Sequence, residues 1–233
     1  MEGRPISSRS LQSRLIDVAL PERPEGVVLV MHGGAARRGR VMVSPAQLSV
    51  LRMVPIARRV ARAGRDQLAV FRLLNSSRGW DTRHTPVQDA RWALGRIAER
   101  FGRTLPTSLV GHSLGGRAAL LAAPQPGVVS VAALAPYVYP DDVPRGLDGQ
   151  RVLIIHGSAD RVASPERSQE LARKFSAAAR VSYVTVEHGQ HSMLRRHSEF
   201  AGLAAEFVTA TLLGAKRDGT IARVMDGEPW IRV

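Results

Sequence analysis

A single heptapeptide does most to restrict how this chain can fold: Val110-Gly111-His112-Ser113-Leu114-Gly115-Gly116. An apolar run, Thr107-Ser108-Leu109-Val110, leads into it, and an Ala/Leu-rich run, Arg117 to Ala123, leads out of it. G-x-S-x-G between such runs predicts strand, sharp turn, helix. A serine at the tip of that turn sits in a strained backbone, and its neighbours two before and two after approach closely. Gly111 and Gly115 have no Cβ to clash there. The turn exposes the Ser113 hydroxyl above a sheet edge. It aims the Leu114 N–H, at the positive end of the next helix, toward an incoming carbonyl oxygen. The alternative is an ordinary tight turn beside a packed helix. Partners for the hydroxyl elsewhere in the chain decide against it.

Short apolar runs alternate with helical patterns along the rest of the sequence. Arg14 to Leu20 alternates weakly, as an early strand, and Pro21 to Gly26 is a turn. Val27 to Met31 is continuously apolar, as in a buried parallel strand. Leu68 to Leu74, Val128 to Ala135 and Arg151 to His156 read as further strands, and Arg180 to Glu187 as the last. Ser44 as N-cap and Pro45 at the first position open a helix through Leu48, Leu51, Ile56 and Val60 to Gly64. Pro55 inside it predicts a kink or break. Thr85-Pro86-Val87-Gln88 reads as a capping box for a helix to about Phe101, with Val87, Ala90, Leu94 and Ile97 on one face. Asp89 in that helix reads as a structural charge. Ser164-Pro165 opens a helix carrying the Glu170–Lys174 pair, and a final helix runs from about Glu199 to Leu212.

Five or six strands alternating with helices, without internal repeats, predict an α/β fold: a mostly parallel central β-sheet with helices on both faces. At 233 residues and 44% hydrophobic, the chain suits one domain, with its core over about residues 14–213 and a C-terminal extension over 214–233. In that extension Thr220 to Met225 alternates and Trp230 follows, a pattern suited to an extra edge strand or a dimer contact. Between monomer and homodimer the residues do not decide.

Composition removes several function classes. Cysteine is absent, which excludes disulfides, thiolate metal sites and a cysteine nucleophile. His188, His191 and His197 lack a matching carboxylate, so no metal site is expected, and the chemistry needs no cofactor. No apolar run is long enough to span a bilayer. The opening MEGRPISSRSLQSRL lacks the apolar segment of a secretory signal, which predicts a cytoplasmic protein. The net charge of +13 is carried almost wholly by arginine. One reading is a nucleic-acid or anionic-surface binder. The other is a compositional bias spread over solvated faces. Arg37, Arg38 and Arg40, Arg58, Arg59, Arg62 and Arg65, and Arg195 and Arg196 fall in most elements, with few aromatics between them. The second reading fits better, so the expected partner is a small-molecule ester or thioester rather than nucleic acid.

Serine alone is a poor nucleophile at neutral pH. It needs a base for its proton, and the base needs an acid to fix its tautomer. The chain offers one of each at successive strand ends, in the order Ser113, Asp160, His191. Asp160 follows the strand Arg151 to His156 in a small-residue loop, and His188 and His191 follow the last strand. A third strand end, His32-Gly33-Gly34-Ala35, suits a second oxyanion donor from the backbone of Gly34 or Ala35, with His32 holding the loop. Trp80, Tyr137 and Tyr139 lie in loops that border the same edge and are candidate pocket walls, with core packing as the alternative. The loop after Ala135, up to Gln150, is too short for an inserted cap domain, so the site should be open.

These motifs resemble the α/β-hydrolase fold family. They are His32-Gly33-Gly34, Gly111 to Gly116, His156-Gly157-Ser158-Ala159-Asp160-Arg161 and Gly189-Gln190-His191-Ser192, and the match covers about residues 14–213. The resemblance implies Ser113 as nucleophile, Asp160 as acid, His191 as base, and the Leu114 and Gly34 amides as the oxyanion hole. It favours His191 over His188 because Gly-x-His-Ser is similar to the family's histidine loop. His112 belongs to the elbow pattern in a structural role. The implied activity is hydrolysis of carboxylic esters of small or accessible acyl groups through an acyl-serine. A thioesterase or acyltransferase using the same triad, and a non-catalytic binding protein on the same fold, stay open.

Overall fold

A computed structural model describes residues 12–34 and 43–233. The loop holding Arg37, Arg38 and Arg40, and the Ala35 amide, lie outside the described residues. The strands are β1 (Arg14–Ala19), β2 (Gly26–Met31), β3 (Leu68–Leu74), β4 (Thr107–His112), β5 (Val128–Leu134), β6 (Arg151–Gly157), β7 (Arg180–Val186) and β8 (Trp230–Arg232). They form one sheet in the order β1-β3-β2-β4-β5-β6-β7-β8. β1 runs antiparallel to β3, and the remaining pairs are parallel. The helices are α1 (Leu48–Leu51), α2 (Met53–Ala63), α3 (Thr85–Phe101), α4 (Leu114–Leu121), α5 (Pro165–Phe175), α6 (His197–Leu213) and α7 (Gly219–Met225).

The continuous apolar strands are explained by a core on each face. Val27, Leu29 and Met31 of β2 face one cluster with Val87, Ala90 and Ile97 of α3, Ala118 and Ala119 of α4, and Leu171 and Phe175 of α5. Val28 and Val30 face the other, with Met53, Ile56 and Val60 of α2, Phe200, Ala204 and Phe207 of α6, and Ile221 and Val224 of α7. Strand side chains alternate in direction, so a strand covered on both faces must be apolar at every position. The expectation of a mostly parallel sheet between helices holds, with eight strands rather than five or six.

Local details differ from expectation for identifiable reasons. Ser44 does not cap a helix. Among the described residues its hydroxyl accepts only from Ala46 N–H (3.2 Å), and the first helical residue is Leu48. The break attributed to Pro55 falls at Arg52, between α1 and α2. Pro55 has no N–H for the Leu51 carbonyl, and its ring crowds that oxygen. Thr85 is not a cap either. Asp81 serves instead, accepting from the Thr85 N–H (2.9 Å) and hydroxyl (2.5 Å), while Gln88 reaches the Arg83 carbonyl. Arg180 to Glu187 is not the last strand, because β8 adds alongside β7. The alternating Thr220 to Met225 is helical, its buried Ile221 and Val224 lying three residues apart, and Trp230 opens the edge strand.

Chain direction reverses across the sheet between β2 and β4. β2 leads outward to β3, and the chain then returns to β4 on β2's other side. In open α/β sheets the crevice at such a point, beyond the carboxyl ends of the strands, is where ligands bind. The ends of β2 and β4, far apart in sequence, are thereby neighbours: Met31 pairs with Gly111.

Candidate active site

At the end of β4 the backbone turns through Ser113, with φ 55° and ψ −119°, directly into α4. This corner closes only because its neighbours are glycines. A Cβ on Gly111 would overlap the Gly115 carbonyl, and one on Gly115 would lie 2.6 Å from both the Met31 and His32 oxygens. The Ser113 N–H donates to Leu134 of β5 (3.0 Å), and its carbonyl accepts from Arg117 (3.0 Å) and Tyr137 (3.1 Å). Ser113 is therefore fixed from three directions. Its hydroxyl is left for side-chain chemistry.

His191 supplies the partner. Its Nε2 lies 3.0 Å from Ser113 Oγ and its Nδ1 2.8 Å from Asp160 Oδ2. Asp160 Oδ1 accepts from the Val162 (2.8 Å) and Ala163 (2.9 Å) N–H groups. The three side chains thus form one chain of hydrogen bonds from three strand ends. Burial raises the Asp160 pKa, but hydrogen bonds from His156, His191, Ala163 and Val162 outweigh it and hold the carboxyl well below its ordinary range. It stays ionised and orients the imidazole. His188, the rival base, is exposed, and its backbone N–H donates to Ser158 Oγ (2.8 Å).

Two more histidines hold the frame. His112 Nε2 donates to the His191 carbonyl (2.9 Å), tying the elbow to the histidine loop. Burial, then the charge of His191, push its pKa down to about 3, so the ring is neutral. His32 Nε2 accepts from the Asn75 N–H (3.2 Å), which leaves Nδ1 as the donor to Gly33 O (2.6 Å). That bond fixes the glycine loop over the elbow. Gly33 and Gly34 line the cavity with Ser113 and Leu114. A Cβ on Gly33 would press the Ser113 Cβ at 3.2 Å, and one on Gly34 would press Gly79 N at 3.1 Å.

The cavity, about 720 Å³, is also lined by Trp80, Tyr137 and Tyr139. Two further groups support the site, Arg117 in the cavity wall and His156 buried behind Asp160, and the sequence alone assigns a role to neither. Arg117 of α4 donates to Asp142 Oδ1 (2.7 Å) and lies over the Trp80 (4.0 Å) and Tyr139 (4.8 Å) rings. Asp142 also accepts from the Tyr139 N–H (2.8 Å), pinning the Pro136–Asp142 loop to α4. A charged residue inside an Ala/Leu-rich helix was the available signal. Asp89, by contrast, is structural as expected: it accepts from Ser13 (2.6 Å) and Ser76 (2.8 Å).

The second group is His156. Fully buried, it donates through Nε2 to Asp160 Oδ2 (3.1 Å) and receives Ser168 Oγ on Nδ1 (2.8 Å), with Tyr183 behind Ser168 (3.0 Å). Burial raises the Tyr183 pKa, keeping the phenol protonated as the network's outer end. Replacing His156 by leucine leaves one Asp160 lone pair unpaired in the interior and removes one of the hydrogen-bond partners of Ser168, at an expected cost of about 1–3 kcal/mol. An Asp held below its unfolded pKa stabilises the fold above about pH 4 and ceases to as pH falls through the folded value. The loss in His156→Leu should therefore be larger at pH 7 than at pH 3, as urea unfolding at the two pH values will show.

Among the described residues no group of three or more histidine or carboxylate side chains is arranged to hold a metal, and no helix is long and apolar enough to cross a membrane.

Comparison with known proteins adds to this geometry. A family model described as "Putative esterase" matches residues 93–207, from within α3 to within α6. No curated protein matches the sequence. Among solved structures, an α/β serine hydrolase homologue from Coxiella burnetii is similar at TM-score 0.64 and 16% identity, covering 83% of this chain and 90% of that one. An α/β serine hydrolase without a lid from Xanthomonas campestris is similar at TM-score 0.64 and 19% identity, covering 88% and 97%. A monoacylglycerol lipase from Paleococcus ferrophilus is similar at TM-score 0.59 and 18% identity, covering 86% and 99%. At these identities the likeness is one of fold.

Proposed function

From the premise that this chain belongs to the α/β-hydrolase fold family, we propose that it is a serine esterase acting through an acyl-serine intermediate, with Ser113 as nucleophile, His191 as general base and Asp160 as its acid. The observation that carries the reading is the unbroken line Ser113 Oγ–His191 Nε2 (3.0 Å) and His191 Nδ1–Asp160 Oδ2 (2.8 Å), opening on a cavity.

Ser113 Oγ attacks the ester carbonyl carbon while its proton passes to His191 Nε2. A C–Oγ bond forms, and the carbonyl oxygen becomes an oxyanion. The Leu114 N–H at the start of α4 and the Gly34 N–H are the donors assigned to that oxygen, where fixed dipoles cost no reorganisation. Collapse breaks the bond to the alcohol oxygen, which takes the proton from His191. Water, deprotonated by the same imidazole, then cleaves the acyl-serine. The balance is ester and water to acid and alcohol, and no redox partner is required.

The loop between β5 and β6 carries no helix, and Leu48, Tyr139 and Val162, which line the cavity, are exposed. Small or readily accessible acyl groups fit such a site. A thioesterase or acyltransferase would use the same three side chains, and a screen of acyl-thioesters and alcohol acceptors separates them. A fluorophosphonate probe tests the nucleophile directly. Mass spectrometry should find one adduct per chain, on Ser113, formed at a rate that falls when excess ester is present. An unlabelled protein, or label on another serine, would refute the assignment.

A further inference from the structure

Among the described residues, the wall of the cavity over Ser113 carries three arginines, Arg52, Arg78 and Arg117, and no carboxylate. Arg117 is neutralised by Asp142 at 2.7 Å. The other two have no carboxylate partner among the described residues. Arg78 spends its Nε on the Gln47 amide oxygen (2.7 Å), and no carboxylate among the described residues forms an ion pair with it. Arg52, half-buried where Pro55 breaks the helix, likewise has no carboxylate partner among the described residues, and burial lowers its pKa. Segments 1–11 and 35–42 contain one carboxylate side chain, Glu2, and five arginines. A partly desolvated guanidinium without a counter-ion is unfavourable unless something else provides the charge. The field of Arg52 reaches the site, where it further depresses the His112 pKa.

Two guanidiniums without a carboxylate partner among the described residues therefore share one cavity with the nucleophile. Bidentate donation to a carboxylate is what a guanidinium fork does best. We propose that the substrate is an ester that also bears a carboxylate, which Arg52 and Arg78 hold while the scissile carbonyl lies at Ser113. The proposal rests on the serine-esterase reading and narrows it. The apolar part of the same wall, Trp80, Leu114, Tyr137 and Val162, is left for the body of the molecule.

The test compares matched ester pairs. For an acid on the acyl half, mono-4-nitrophenyl succinate is set against 4-nitrophenyl pentanoate. For an acid on the alcohol half, 4-acetoxybenzoate is set against 4-acetoxybenzamide. At low ionic strength the charged member of at least one pair should have the higher kcat/KM by about tenfold or more, chiefly through KM. The ratio should fall as salt is added. It should collapse toward unity in Arg52→Gln and Arg78→Gln, but not in Arg62→Gln, which removes a charge from α2 away from the cavity. Equal rates within both pairs, or a preference that survives both cavity substitutions, would overturn the proposal. Should the wild-type protein cleave none of the four esters, the esterase reading fails on its own. Calorimetry with glutarate then judges the anion site: binding lost in the Arg52→Gln/Arg78→Gln double variant upholds it, and no binding to the wild type overturns it.

Discussion

Ser113→Ala will lower ester turnover by on the order of 10⁴- to 10⁶-fold while leaving the protein folded. The substitution isolates chemistry from structure. Alanine keeps the Cβ, so the positive φ at this corner is strained to the same degree before and after, and the backbone bonds to Leu134, Arg117 and Tyr137 do not involve the hydroxyl. What disappears is the oxygen 3.0 Å from His191 Nε2. Residual catalysis from positioning and the backbone donors sets the floor, which is why the loss is finite. Steady-state rates on 4-nitrophenyl acetate, with unfolding midpoints measured on the same samples, check both halves. Activity within tenfold of wild type would mean that another group attacks the ester.

The second large effect is expected far from the nucleophile. A Cβ on Gly157 would overlap the Gly189 carbonyl and sit 2.8 Å from its Cα. Here the acid loop leaving β6 crosses the histidine loop leaving β7, backbone against backbone. Ala159 N–H donates to Gly189 O (2.9 Å) at the same crossing. Gly157→Ala must therefore force the two loops apart, and backbone cannot step aside as a flexible side chain can. Overpacking of this kind costs about 1–3 kcal/mol, or more where nothing yields. Asp160 and His191 ride on the separated loops, and a displacement of about 1 Å costs about 10²-fold in rate. The expected variant is less stable and at least about 10²-fold slower, yet its Ser113 elbow is intact. Wild-type rate and stability together would mean that the crossing is looser than described.

Much of the fold was legible because burial on two faces leaves a plain signature. β2 through β7 are runs of apolar residues between turn signals, and little else reads that way. β8 escaped because three residues are too few for a pattern. α7 was misread because six residues match period two as well as period three and a half. Thr85 reads as a cap because a capping box is local, whereas Asp81 reaches it from four residues upstream. The site divided in the same way. Ser113, Asp160 and His191 could be singled out because each stands in a glycine-bearing turn at a strand end. Their meeting at hydrogen-bond distance depends on the order of strands. The Arg117–Asp142 pair and the His156–Ser168–Tyr183 relay join residues from separate elements, and nothing local to either partner announces the other.

The corner at Ser113 has one further consequence. With φ 55° and ψ −119°, this position suits a residue without a side chain, and holding serine there costs about 1–3 kcal/mol. Fold preference and reactivity thus pull position 113 in opposite directions. Relieved of any duty to react, the architecture would be sturdier with glycine at its own centre, and a descendant that had abandoned the chemistry would have a thermodynamic reason to lose that hydroxyl first.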